Sequence, residues 1–163
     1  MIWVTRAGAK VDRVACPWLI RRFIDQSAEF LFVAAGEVLE TARMKGARSY
    51  DAAGAEFGHE QGPVGETCTF VTLMRAHGLW DSDPALDAVA RIVNHADTRP
   101  GRSAFEAAEG EGLRTIAKGF ALTTADDHVK MERQFPIYDA LYAAHGKKLG
   151  LDGDTAAAAE ARM

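Results

Sequence analysis

Three observations predict an α+β fold, a single domain with short N-terminal strands and a helix-rich C-terminal half. Compact β-branched or aromatic runs between loop residues are confined to the first part of the chain. From Cys68 onward the apolar residues recur at helical spacing. The length, 163 residues, suits one hydrophobic core, and 48% hydrophobic with 26% charged residues is an ordinary globular balance.

MIWVTR reads as the first strand, because Ile2, Trp3 and Val4 suit a pleated, partly buried surface. AGAK is expected to be a loop. Pro17 fits the first position of a helix, where its missing N–H costs nothing, which makes Cys16 the expected N-cap of PWLIRRFID. FLFVAA from Phe30 is a buried-strand pattern, and GEVLETARMKG has helical spacing. RSYDAA and AEFGHE read as two short strands around Gly54, and QGPVGET as a loop.

The second half holds four helix patterns. TFVTLMRAHG is the first; in DPALDAVARIVNHAD, Asp83 caps, Pro84 starts the helix, and Leu86, Val89, Val93 and Ala96 share a face. EGLRTIAKGFALT follows, and DDHVKMERQFPIYDALYAAHG is a long helix with a kink expected at Pro136. Residues 146–163 hold few large apolar side chains and are expected to fray, leaving residues 1–145 as the domain.

The formal net charge of -4 offers no general attraction to nucleic-acid phosphates, so direct DNA binding is not expected. No apolar run reaches the length of a membrane span, and the N-terminus lacks a secretory pattern, so a cytoplasmic location away from membranes is expected. Two cysteines alone make a thin disulfide framework, and reduced thiols are expected.

Two groups of residues carry candidate chemistry. At a helix N-terminus Cys16 would gain thiolate character, with Asp12 beside it. Arg6, Arg13, Arg21 and Arg22 would converge there on an oxyanion, because helix N–H groups and guanidinium forks both match a tetrahedral anion. A buried, inert Cys16 with arginines paired to Asp12 and Asp25 explains the same residues. The Cys16-to-Arg22 spacing also matches an oxyanion-binding phosphatase loop, but Pro17, Trp18, Leu19 and Ile20 favour a helix there.

The second group is His59 with Asp97, Asp127 and His128, an imidazole and carboxylate set suited to a divalent transition metal. Glu60 and His95 lie close to it in sequence. Capping and helix-end roles account for Asp126, Asp127 and His95 without any ion.

TRAGAKVDRVACPWLIRRFID, AEFLFVAAGEVL, GHE followed by CTF, ALDAVARIV with its AD, and ADDHVKMER with IYDALYA together resemble the chromate-resistance protein family, of the ChrB C-terminal type. The resemblance spans nearly all of residues 1–145 and rests on several motifs in one order. It implies a bacterial role in sensing or detoxifying chromate or a similar oxyanion, beside a regulator or transporter partner, with homo-oligomers also expected. The positions it shares are Arg6, Asp12, Arg13, Cys16, Pro17, Trp18, Arg21, Arg22, Asp51, His59, Cys68, Asp97, Asp127 and Tyr138. An acid often follows the CTF motif in the family, where this chain has Val71. A metal-dependent enzyme acting on a small molecule and a non-catalytic partner-binding module are the alternatives.

Overall fold

A computed structural model of the chain describes residues 1–148. It is an α+β structure in which strand β1 (Ile2–Arg6) leads into helix α1 (Val11–Leu19), which continues through a π-helical turn at Ile20–Ile24. Then come β2 (Glu29–Val33), a 3-10 turn at Ala35–Glu37, α2 (Val38–Lys45) and β3 (Arg48–Ser49). A hairpin of β4 (Glu60–Gly62) and β5 (Gly65–Thr67) precedes α3 (Thr69–Ala76), α4 (Pro84–Asp97), α5 (Glu109–Thr123) and α6 (Asp127–Lys148). The tail expected to fray lies, for residues 149–163, outside the described residues.

β2, β1 and β3 form a parallel sheet in that order, so each crossover returns through a helix and leaves β1 in the centre. A central parallel strand is covered on both faces. Trp3, Val4 and Thr5 are accordingly all buried. α1 is packed almost all round: Val14, Ala15, Cys16, Trp18 and Leu19 are fully buried, and the Trp18 indole N–H donates to Asp139 of α6 at 2.7 Å. α4 shows its apolar face as expected, and its N-cap Asp83 accepts from the Ala85 and Leu86 amides. Among the described residues no helix is long and apolar enough to cross a membrane.

Three local expectations are corrected. α1 begins at Val11, six residues before Pro17, so Cys16 lies inside the helix and the N-cap is Lys10. The cause is periodicity: Val11, Val14, Ala15 and Trp18 continue one apolar face through Pro17, and burying it outweighs the hydrogen bond that the proline removes. The second strand expected near Gly54 reduces to a single bridge between Tyr50 and Phe57. QGPVGET, expected as a loop, forms most of the β4–β5 hairpin.

Candidate metal and oxyanion site

The carboxyl ends of β1 and β3 lie side by side, the place where open parallel sheets commonly hold ligands. Arg6 ends β1, and Asp51 follows β3 with a left-handed φ of 47°. That backbone is tolerated by aspartate and is enriched at functional positions. Asp12 enters from the first turn of α1, Asp97 from the last turn of α4, and His59 from the segment before β4.

These side chains meet at one atom. His59 Nε2 lies 2.9 Å from Asp97 Oδ2, 3.3 Å from Asp12 Oδ2 and 3.4 Å from Asp51 Oδ1. One N–H can serve only one acceptor well, so three carboxylates converge on a single donor. The other ring nitrogen, Nδ1, is 2.6 Å from Glu66 Oε1. Asp12, His59 and Asp97 each offer a ligand atom, all within 4.8 Å of one another. An imidazole that meets carboxylates on one side and a further carboxylate on the other matches the way proteins orient metal-binding histidines.

The surrounding fold holds each group in place. Asp12 is fully buried and its carboxylate accepts from the amides of Thr69 at 2.7 Å and Phe70 at 3.3 Å, capping α3 from another element. Asp97 Oδ1 accepts from the Asp12 amide, and the Thr69 hydroxyl donates to Asp51. Asn94 fixes the other side: it accepts from the Cys68 amide at 2.6 Å and donates to the Glu66 carbonyl. Gly65, at φ 138°, runs so close to residues 102–104 that a Cβ would lie 2.8 Å from their backbone, which keeps Glu66 beside His59.

Two guanidinium groups border the cluster. Arg13 Nη1 is 3.4 Å from Asp51 Oδ2 and Arg6 Nη2 is 3.9 Å from the same atom. Arg6, His59 and Asp51 line an adjoining cavity of about 270 Å³. Four buried polar atoms, the hydroxyls of Thr5, Tyr50 and Tyr138 and Arg13 Nε, have no hydrogen-bond partner among the described residues. Unpaired buried polar atoms mark places that water or an ion commonly completes.

Burial pushes the Asp12 carboxyl up to about 7, with repulsion from Asp97 adding to it. His59 is raised by its hydrogen bonds to Asp12, Asp51 and Asp97. Asp51 is lowered: burial works against its ionisation, but the His59 hydrogen bond and the Arg13 charge outweigh it. The Cys16 thiol is pushed up by burial and then by the Asp12 charge.

These shifts set a pH dependence for the metal-free protein. Asp12 and His59 bind protons more tightly folded than unfolded, so their stabilisation is full at low pH and is lost as pH rises, for Asp12 through about 7. Asp51 and Glu66 are lowered and act oppositely, losing their contribution only as pH falls below the ordinary carboxylate range near about 4. The thermal midpoint of metal-free protein should therefore fall between about pH 5 and about pH 8. A midpoint that climbs across that interval would contradict the assignment of Asp12 as the proton-retaining acid.

A family model described as "ChrB, C-terminal domain" matches residues 3–145. The chain belongs to the ChrB C-terminal domain family. Protein ChrB of Cupriavidus metallidurans is 32% identical over 142 residues, covering 86% of this chain and 39% of that protein. The chain thus spans about two fifths of its relative's length. No solved structure matches it.

Of the positions singled out in this ChrB-type sequence, Asp12, His59, Asp97, Arg6 and Arg13 are brought together, and Asp51 joins them. The others go elsewhere. Asp127 accepts from the Gly8 and Ala9 amides and pairs with Lys130, tying α6 to the loop before α1. His128 packs edge-on against Phe32. Arg21 donates to the Ala28 carbonyl and lies over Phe30, and Arg22 forms a two-point pair with Asp139.

Cys16 is buried in mid-helix with Sγ 3.8 Å from Asp12, so neither a helix N-terminus nor a raised thiolate fraction supports it as a nucleophile. The Cys16-to-Arg22 spacing runs along a helix and forms no anion loop. His95 pairs with Glu111, and Glu60 with Arg75. Val71, where the resemblance implies that an acid often stands, is a buried residue of α3. Glu66 was missed by sequence reasoning; an acid seven residues after a histidine becomes a signal only once the β4–β5 hairpin is recognised.

Proposed function

We propose that this ChrB-family domain binds a divalent transition metal through His59, Asp12 and Asp97, with Asp51 beside them. It holds an oxyanion such as chromate in the adjoining cavity lined by Arg6, with Arg13 behind Asp51, as part of a chromate response. The observation that carries the reading is the convergence of three carboxylates on His59 Nε2. With Nε2 deprotonated to ligate the ion, a dication and the two arginines balance the four carboxylates, counting Glu66. The mixed nitrogen and oxygen donor set suits manganese, iron or zinc better than a purely oxygen-bound ion.

This chain's own residues divide the work. Glu66 holds the His59 ring by Nδ1, leaving Nε2 for the ion; Asn94 and the α3 amides fix the backbone and the Asp12 carboxylate. Arg6 and Arg13 provide fixed charge for a tetrahedral dianion, and a bound dication would add attraction for the same anion. The chromate assignment draws on family membership, since the geometry serves other oxyanions of that shape equally.

Calorimetric titration of the purified chain with manganese and with zinc, followed by chromate and by sulfate with and without metal, tests this. The expected result is one metal per chain and chromate binding that is at least about tenfold tighter with metal present. Metal-independent chromate affinity, or no metal uptake, rejects the proposal. A metal-dependent enzyme acting on a small molecule is the second reading. It is favoured by a further recess, of about 370 Å³, that reaches Asp97 and exceeds what a bare ion requires.

A further inference from the structure

That second recess carries its own chemistry. It lies between the start of α1, the end of α4 and α5, and its buried lining is Val11, Ala96 and Ala117 with Thr98, whose hydroxyl donates to the Asn94 carbonyl. Its exposed lining is cationic, with Lys10, Arg99 and Lys118, none of which has an ion-pair partner among the described residues. The first amides of α1 are already engaged, that of Asp12 by Asp97 and that of Arg13 by the Lys10 carbonyl, so the positive charge comes from the three side chains.

The negative groups nearby are already engaged. Asp97 reaches the recess wall, but its two oxygens contact the Asp12 amide and His59 Nε2. The carbonyls at the end of α4, which would repel an anion, are taken up by Arg114. It donates to His95, Ala96 and Thr98 carbonyls at 2.6, 3.0 and 3.0 Å. The remaining field in the recess is positive.

We infer that this recess is a second ligand site, which takes a small organic phosphate: an apolar body on Val11, Ala96 and Ala117, and a phosphate dianion held by Lys10, Arg99 and Lys118. An apolar floor has no use for a bare inorganic ion, while three cations exceed what a single carboxylate needs. The site goes beyond the metal reading. The recess borders the His59 cluster at Asp97 but shares no lining residue with the Arg6 cavity.

The probe is phenyl phosphate, compared with inorganic phosphate and benzoate, titrated into the full isotopically labelled chain without added metal and followed by amide chemical shifts. Saturable shifts at Val11, Thr98 and Ala117 are expected, with phenyl phosphate binding at least about tenfold tighter than either comparator. The double variant Lys10→Ala with Lys118→Ala should weaken it by about tenfold or more, while Arg6→Ala and Glu66→Gln should leave it within about twofold. Because Lys10 and Lys118 are exposed and unpaired, their removal is not expected to unfold the chain.

Shifts centred on Ala52 and Gly58, equal affinity for inorganic phosphate, or an unaffected double variant would each overturn the proposal. The Glu66→Gln arm separates the two sites, because it weakens the metal cluster while His59 stays on Asp97. Loss of metal uptake with phenyl phosphate binding retained leaves the recess standing whatever becomes of the metal reading.

Discussion

Replacing His59 with alanine should cost at least about 100-fold in metal affinity, since it removes the only nitrogen donor and the group on which three carboxylates converge. Purified without any affinity-metal step and examined by elemental mass spectrometry, wild-type protein should carry close to one transition-metal ion per chain and the variant almost none. Glu66→Gln gives a graded comparison. The amide keeps the size of the side chain but loses the charge at Nδ1, and affinity should fall by about 10- to 100-fold while the fold is kept. Equal metal content in wild type and both variants would remove the ion from this cluster.

The charge balance explains why the histidine matters this much. Without it, Asp12, Asp51 and Asp97 would face one another with only Arg13 and Arg6 nearby, both paired to Asp51. Asp12 and Asp97 would then have no cation at all except a bound one. The variant should consequently also lose stability in the metal-free state, most of it below the ordinary histidine range near about 6.5, where His59 contributes fully, and less as pH rises.

Asp12→Ala is expected to destabilise the metal-free protein by about 2–5 kcal/mol, from two unsatisfied amides at about 1–3 kcal/mol each. Both amides, of Thr69 and Phe70, begin α3, and no other acceptor reaches them among the described residues. The carboxylate also joins α1 to α3 across 57 positions of sequence, so its loss loosens the contact that sets the distance between Asp12 and His59. Part of the cost is returned, since removing a buried acid also removes its repulsion with Asp97. Asp12→Asn keeps one acceptor and should lose roughly half as much, while still failing to bind metal with wild-type affinity. Urea unfolding measures both; a midpoint for Asp12→Ala indistinguishable from wild type would mean that Asp12 does not hold α3.

Local pattern was sufficient for much of the fold. α4 was legible because its cap, its N1 proline and its apolar stripe agree with one another, and β1 and β2 because short aromatic and β-branched runs have few alternatives. Pro17 misled for the opposite reason. Its preference for a helix start is a property of one residue, whereas the true start at Val11 depends on what the face formed by Val14, Ala15 and Trp18 packs against.

The same division runs through the site. Asp12, Arg13, His59 and Asp97 could be singled out as chemistry-bearing residues from type and setting, and family membership could be read from the order of their motifs. Asp127, His128, Arg21 and Arg22 were equally plausible by those criteria, yet the fold uses them on Gly8, Phe32, Ala28 and Asp139. By itself the sequence determined the helices, the central strand and the family, because these follow from short-range periodicity and ordered motifs. Only the tertiary structure decided which acids meet His59, that Cys16 is buried and that Glu66 belongs to the site. Each of those depends on packing between segments far apart in the chain, where one helix turn of register separates a ligand from a bystander.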